Sequence, residues 1–174
     1  AAGTKTVWLI GPVGFLSAGP VANGYEIGDL FVPTLALVGD GTSPHYGKSD
    51  QFRFTALDDQ QIASVIRCAE PAEIRVEAAG SIITTDAPFR ETEVWSRGAL
   101  SRGANIVDME SAAVTATCAA YGSYCFGFFL ISDIVSAASS VGFSSKRFKA
   151  GRAVLTQALS ELLLKPRASR SESP

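Results

Sequence analysis

The run YCFGFFLIS, residues 124–132, is apolar at almost every position. Successive side chains of a strand point to opposite faces, so a strand with no polar alternation needs cover on both sides. The run falls far short of the ~18 uninterrupted apolar residues that would suggest a membrane span, and nothing else in the chain approaches that length. It therefore predicts a central strand between two layers. TVWLI (6–10) repeats the pattern and is followed by glycine-rich sequence from Gly11 to Gly14 that reads as a turn. LFVPTLALV (30–38) repeats it again, with Pro33 marking a bulge or an edge. IRVEAAGSIITT supplies strand material around 74–77 and 80–84, and NIVDM (105–109) supplies more.

Helical segments alternate with these strands. Asp58 can cap a helix over DDQQIASVIRCA, where Ile62, Val65, Ile66 and Ala69 share one face. RETEVWSRGALSRG reads as a polar surface helix ended by Gly103, and ESAAVTATCAAYG as an Ala-rich helix ended by Gly122. A last helix spans about 146–164, with Lys146, Arg147 and Lys149 in its first turn. Apolar strands alternating with helices predict an α/β fold: three αβα layers around a mixed, mostly parallel sheet. Residues 1–164 form one domain on this reading, and KPRASRSESP (165–174) a disordered polar tail.

Composition narrows the function. The 174 residues are 47% apolar, enough for one core and not obviously two. Fifteen basic and 17 acidic side chains leave a net charge of -2, which gives no footprint for nucleic acid or a membrane surface. Cys68, Cys118 and Cys125 are scattered and odd in number, so they read as reduced, buried thiols of a cytoplasmic protein. His45 is the only histidine, which excludes a multi-His metal site. The opening AAGTKTVWLIGPVGFLSAGP superficially resembles a secretion signal, but Gly11, Pro12 and Gly14 break its apolar stretch and favour a strand.

In open α/β sheets ligands lie beyond the carboxyl ends of the strands. The polar residues out of pattern fall at such ends: Asp86 after SIITT, Asp108 to Glu110 after NIV, and Ser132–Asp133 after FGFFLI. Each has a plain alternative. Asp108 or Glu110 can stabilise a helix N-terminus, by ~0.3–1 kcal/mol. Ser132 or Asp133 can turn the chain. TTDAPFRET (84–92) can be an Asp-Pro turn with surface charges, and GDGTSPHY (39–46) reads as a turn by composition. A helix cap accounts for one acid, not for Met109 between two of them. A half-buried Asp133 could hold a proton and give it to a leaving group.

Together these segments resemble the nucleoside phosphorylase and nucleosidase superfamily, which includes purine nucleoside phosphorylase, uridine phosphorylase and methylthioadenosine/S-adenosylhomocysteine nucleosidase. The resemblance runs in order from about residue 7 to 160. DGTSPHY is similar to a family loop, GSIITTDAPFRET to the base-side loop, NIVDMESAAV to the Met-Glu at a strand end, and FFLISD to the Ser-Asp that closes a purine pocket. It implies that Glu110 accepts hydrogen bonds from ribose hydroxyls while Met109 packs on the sugar. It implies that Asp133, beside Ser132, protonates or hydrogen-bonds purine N7 as an oxocarbenium-like sugar forms. It puts Phe89 against the base, with Gly14 and Arg90 also at the substrate. The implied activity is cleavage of a purine nucleoside's N-glycosidic bond, without a metal or cofactor. The alternative is a non-catalytic nucleoside-binding relative.

The chain departs from the family pattern in two ways. Where phosphorylases usually offer a hydroxyl and often an upstream Arg to phosphate, it has Pro12 and Leu9, and proline removes an N–H from an anion-binding turn. Phosphate remains a possible co-substrate, with hydrolysis as well supported. The family's usual N-terminal strands also have no counterpart here. The expected assembly is therefore a homo-oligomer or a complex with a chain supplying that half.

Overall fold

The computed structural model describes residues 5–17, 24–87, 92–135, 140–141 and 143–164. The expected tail, 165–174, lies outside them. In chain order the elements are β1 (Thr6–Leu16), β2 (Leu30–Phe31), β3 (Leu35–Leu37), β4 (Gln51–Arg53), α1 (Asp59–Ala69), β5 (Val76–Glu77), β6 (Ser81–Thr84), α2 (Glu93–Ser101), β7 (Ile106–Asp108), α3 (Ser111–Ala120), β8 (Tyr124–Val135), β9 (Ser140–Val141) and α4 (Lys146–Leu164). The strands form one sheet in the order β4-β3-β6-β7-β1-β8-β2-β5, with β9 also paired to β8.

Strand β8 has the two-sided burial that its sequence demands. Phe126, Phe128 and Leu130 pack toward α1 and α4 with Val65, Phe148, Leu155 and Ala158. Cys125, Phe129 and Ile131 pack on the other face, with Ala112 and Cys118 of α3. Helix α2 brings Trp95, Ala99 and Leu100 onto Leu37, Ile83 and Val107. These layers make an α/β fold, and Cys68, Cys118 and Cys125 are buried within it.

Local chemistry sets the helix starts. The Asp58 side chain accepts from Gln61 N at 2.8 Å while Gln61 Oε1 accepts from Asp58 N at 2.9 Å, a reciprocal cap for α1. Ile66, expected on the inner face, is instead 39% exposed, and Cys68 is buried with Val65 and Ala69. Thr92 caps α2 by accepting from Trp95 N at 3.3 Å.

One expectation about the strands needs correction. The glycine-rich stretch from Gly11 to Gly14 does not turn: β1 runs from Thr6 to Leu16, held along its length by parallel β8. Among the described residues β7 pairs with β1 only at Gly14 and Phe15, so Pro12 lies on an open edge, where strand prolines are tolerated. The sheet is mixed, as expected, with four pairings parallel and four antiparallel among the described residues. In particular, β1 and β8 run against β6 and β7.

Candidate functional site

The reversal of direction creates the site. Strand β7 stops at Asp108, while β1 and β8 extend beyond it. The uncovered side of β1 then forms one wall of a pocket of about 590 Å³, bounded by Leu9 to Gly14, Val107 to Glu110, Phe129, Ser132, Asp133 and Phe143. That volume is within the ~300–1,000 Å³ usual for small-molecule sites. Ser132 and Asp133 therefore do not lie beyond a strand end, as their sequence suggests. They belong to β8 itself, with Asp133 in register with Gly14 and Gly14 in register with Val107.

The two acids of DME are handled differently. Asp108 is buried and accepts from Thr84 Oγ1 at 2.8 Å, from Ser111 N at 2.9 Å and from Ser111 Oγ at 2.6 Å. Burial raises its pKa to about 6, against the lowering effect of the Ser111 and Thr84 hydrogen bonds, and the charge of Glu110 adds to the rise. Asp108 therefore takes the capping role at α3. Glu110 contributes its backbone, with its carbonyl accepting from Val114 N at 3.0 Å. Its side chain makes no capping bond and is exposed at the pocket. Met109 beside it is 47% exposed.

On the opposite wall, Ser132 is buried and Asp133 half-buried. The Ser132 hydroxyl lies 2.6 Å from Asp133 Oδ1 and 3.1 Å from the Val13 carbonyl. Its single proton serves one of them at a time. When it goes to Val13, the serine oxygen can accept from a protonated Asp133. Gly14 gives this wall its room: a Cβ there would sit 2.5 Å from Val135 Cγ2 and 3.2 Å from Asp133 Oδ2.

Five of the seven expected site residues, Gly14, Met109, Glu110, Ser132 and Asp133, thus line one pocket. Phe89 and Arg90 lie outside the described residues. Sequence reasoning missed Phe143, which lines the pocket at 51% exposure and packs edge-on against Phe148. An aromatic just after a glycine, in a segment without periodicity, was the only available signal. The TTDAPFRET and GDGTSPHY loops are tied together, with Asp86 accepting from Gly41 N at 2.6 Å. Asp40 closes its own turn by accepting from Ser43 N and Oγ, both at 2.7 Å, and His45 is exposed. The charged groups lining the pocket among the described residues are all acids: Asp108, Glu110 and Asp133.

The phosphorylase superfamily model matches residues 2–165. No curated protein matches the chain. Among solved structures it is similar to the 5′-methylthioadenosine/S-adenosyl homocysteine nucleosidase of Campylobacter jejuni, with a TM-score of 0.64 and 19% identity over 90% of this chain and 69% of that one. The purine nucleoside phosphorylase of Toxoplasma gondii, solved with immucillin-H, gives a TM-score of 0.66 and 17% identity over 91% and 64%. The AMP nucleosidase of Bacteroides thetaiotaomicron gives 0.58 and 20% over 91% and 63%. The chain thus spans about two thirds of the length of these structures, and at such identities the likeness is one of fold.

Proposed function

The chain belongs to the phosphorylase superfamily, and on that premise we propose that it binds a purine nucleoside or close analogue and cleaves its N-glycosidic bond. The observation that carries the reading is the convergence of Gly14, Met109, Glu110, Ser132 and Asp133 on one pocket. In this reading the Glu110 carboxylate accepts hydrogen bonds from two ribose hydroxyls, and ionised acceptors make the stronger bonds. Met109 covers the apolar side of the sugar. Asp133 gives its proton to the purine as the bond to the sugar breaks, and the base leaves as a neutral molecule. The Ser132 hydroxyl then returns to donating toward the Asp133 carboxylate. Phe143 and Phe129 offer apolar surface for the base, with Phe89 and Arg90 proposed beside them.

Water or phosphate completes the reaction at the sugar carbon. Three acids line the pocket and Pro12 removes an N–H from the β1 wall, which supports water over an anionic co-substrate. No metal or organic cofactor enters this scheme. Three buried thiols suit a reducing, cytoplasmic setting, and among the described residues no helix is long and apolar enough to cross a membrane.

Release of free base from a panel of purine and pyrimidine nucleosides, with and without phosphate, tests the proposal. Purine release independent of phosphate is expected. Asp133→Asn should lower it by about 10²–10⁴-fold, the usual contribution of a positioned acid. A nitrophenyl riboside, whose leaving group needs no proton, should lose far less. Equal losses on both substrates would remove Asp133 from the acid role. A non-catalytic nucleoside-binding relative is the second reading, because at 17–20% identity the likeness to the three enzymes is one of fold. Binding without base release would establish it.

A further inference from the structure

Thr84 lies at the end of β6, fully buried, and nothing in the proposed chemistry uses it. Its hydroxyl is nonetheless committed twice. It donates to Asp108 Oδ1 at 2.8 Å and accepts from Ala112 N in the first turn of α3, also at 2.8 Å. Thr84 is in register with Asp108, and the neighbouring Thr85 N donates to the Asp108 carbonyl at 2.9 Å. One strand end thus grips Asp108 by side chain and backbone, and grips the helix that follows. Between those two grips the chain has only Met109, Glu110 and Ser111. Glu110 is fixed from the helix side as well, through its carbonyl and Val114 N at 3.0 Å. With its backbone tied on both sides, the Glu110 side chain keeps only its own rotamers to sample.

We propose that Thr84 is a positioning residue for Glu110, its hydroxyl pinning the Asp108 carboxylate and the first turn of α3 so that Glu110 faces the pocket. The proposal rests on Glu110 being the ribose anchor. Replacing the hydroxyl with a methyl strips one partner each from a buried carboxylate and a buried N–H. Both groups then gain by moving toward other partners, and a shift of the junction carries Glu110 with it.

The test uses two probes, adenosine and 2′,3′-dideoxyadenosine, the second lacking the hydroxyls that Glu110 would hold. Affinities and melting temperatures are measured for the 174-residue chain and its variants. Thr84→Val should weaken adenosine binding about tenfold, the effect of losing one well-aligned hydrogen bond at the anchor. It should change dideoxyadenosine binding little. Thr84→Ser, which keeps the hydroxyl, should restore adenosine binding to within about threefold, as one hydroxyl replaces the other. In a Glu110→Gln background Thr84→Val should have no further effect on the ratio of the two affinities. Should Thr84→Val fail to fold, Ser111→Ala removes another hydroxyl from the same carboxylate, and the ratio should fall in the same direction.

A lower melting temperature with an unchanged ratio would show that Thr84 only stabilises the fold. A loss that persists in the Glu110→Gln background would mean that Thr84 acts by another route, and either result overturns the proposal. A chain that binds both probes equally, with no response to Glu110→Gln, would instead overturn the anchor reading on which the proposal stands.

Discussion

Asp108 and Glu110 are separated by one residue, yet one is spent on the fold and the other is left to the pocket. Loss of a charged hydrogen-bond acceptor predicts that Glu110→Gln weakens nucleoside binding by about 1–3 kcal/mol. Unfolding should scarcely change, because the side chain makes no capping bond. Titration calorimetry with a parallel melt checks this, and a large drop in melting temperature with intact binding would contradict it. Asp108 gives a different prediction. Its pKa is raised to about 6 in the folded protein, chiefly by burial, against an ordinary value near 4. Between those values the folded state holds more of this proton than the unfolded chain, so the Asp108 contribution to stability falls as pH rises from about 4 to 6. Asp108→Asn carries no such titration. Its stability relative to the parent should improve across that window by up to about 3 kcal/mol. Urea unfolding at pH 4, 5, 6 and 7 measures it, and a gap that stays constant would refute the assignment.

At the scale of elements, the basic first turn of α4 is an oddity, since cations are unfavourable at a helix N-terminus. Arg147 accounts for it. Its Nη2 lies 2.6 Å from Oδ1 of Asp29, a carboxylate only 1% exposed that also accepts from Glu26 N and Arg75 N. The Arg147 Nε to Glu26 Oε2 approach of 2.9 Å is an ion contact without an aligned hydrogen bond. Close packing accompanies the pair: a Cβ on Gly151 would sit 2.1 Å from the Gly28 carbonyl oxygen. Arg147→Met, which strands a buried charge, should cost about 3 kcal/mol in urea unfolding. Adding Asp29→Asn should recover part of that loss, and no recovery would mean that the loss came from packing. This pair shows where sequence reading stops. Helix ends such as Asp58–Gln61 were legible because a cap is a local pattern, and β8 was legible because its apolar run allows no other reading. The partner of Arg147 was not, since Asp29 is 118 residues away in sequence. The direction of β7 against β1 is equally long-range. That is why Gly11 to Gly14 read as a turn and why Asp133 read as lying beyond a strand. The grouping of Met109, Glu110 and Asp133 at one pocket did not depend on these readings, because acids and a methionine out of pattern are conspicuous wherever the strand runs.

For the whole molecule, the open side of β1 is the decisive feature. In the strand order β1 lies between β7 and β8, well inside the sheet. Yet among the described residues Thr6 to Val13 pair only with β8. Unpaired backbone groups along a flat strand are a template for another strand. Ile10 at 44% exposure, Met109 at 47% and Phe143 at 51% add apolar surface around the same pocket. Cover for such an edge is expected from a second copy or from a chain carrying further strands. The 174-residue chain should therefore self-associate in solution. Ile10→Lys places a charge on the open strand, a common way to block edge pairing. It should shift the population toward monomer without unfolding, because Ile10 is not a core residue. Light scattering across a concentration series tests this. A monomer at all concentrations would mean that the β1 edge needs no partner.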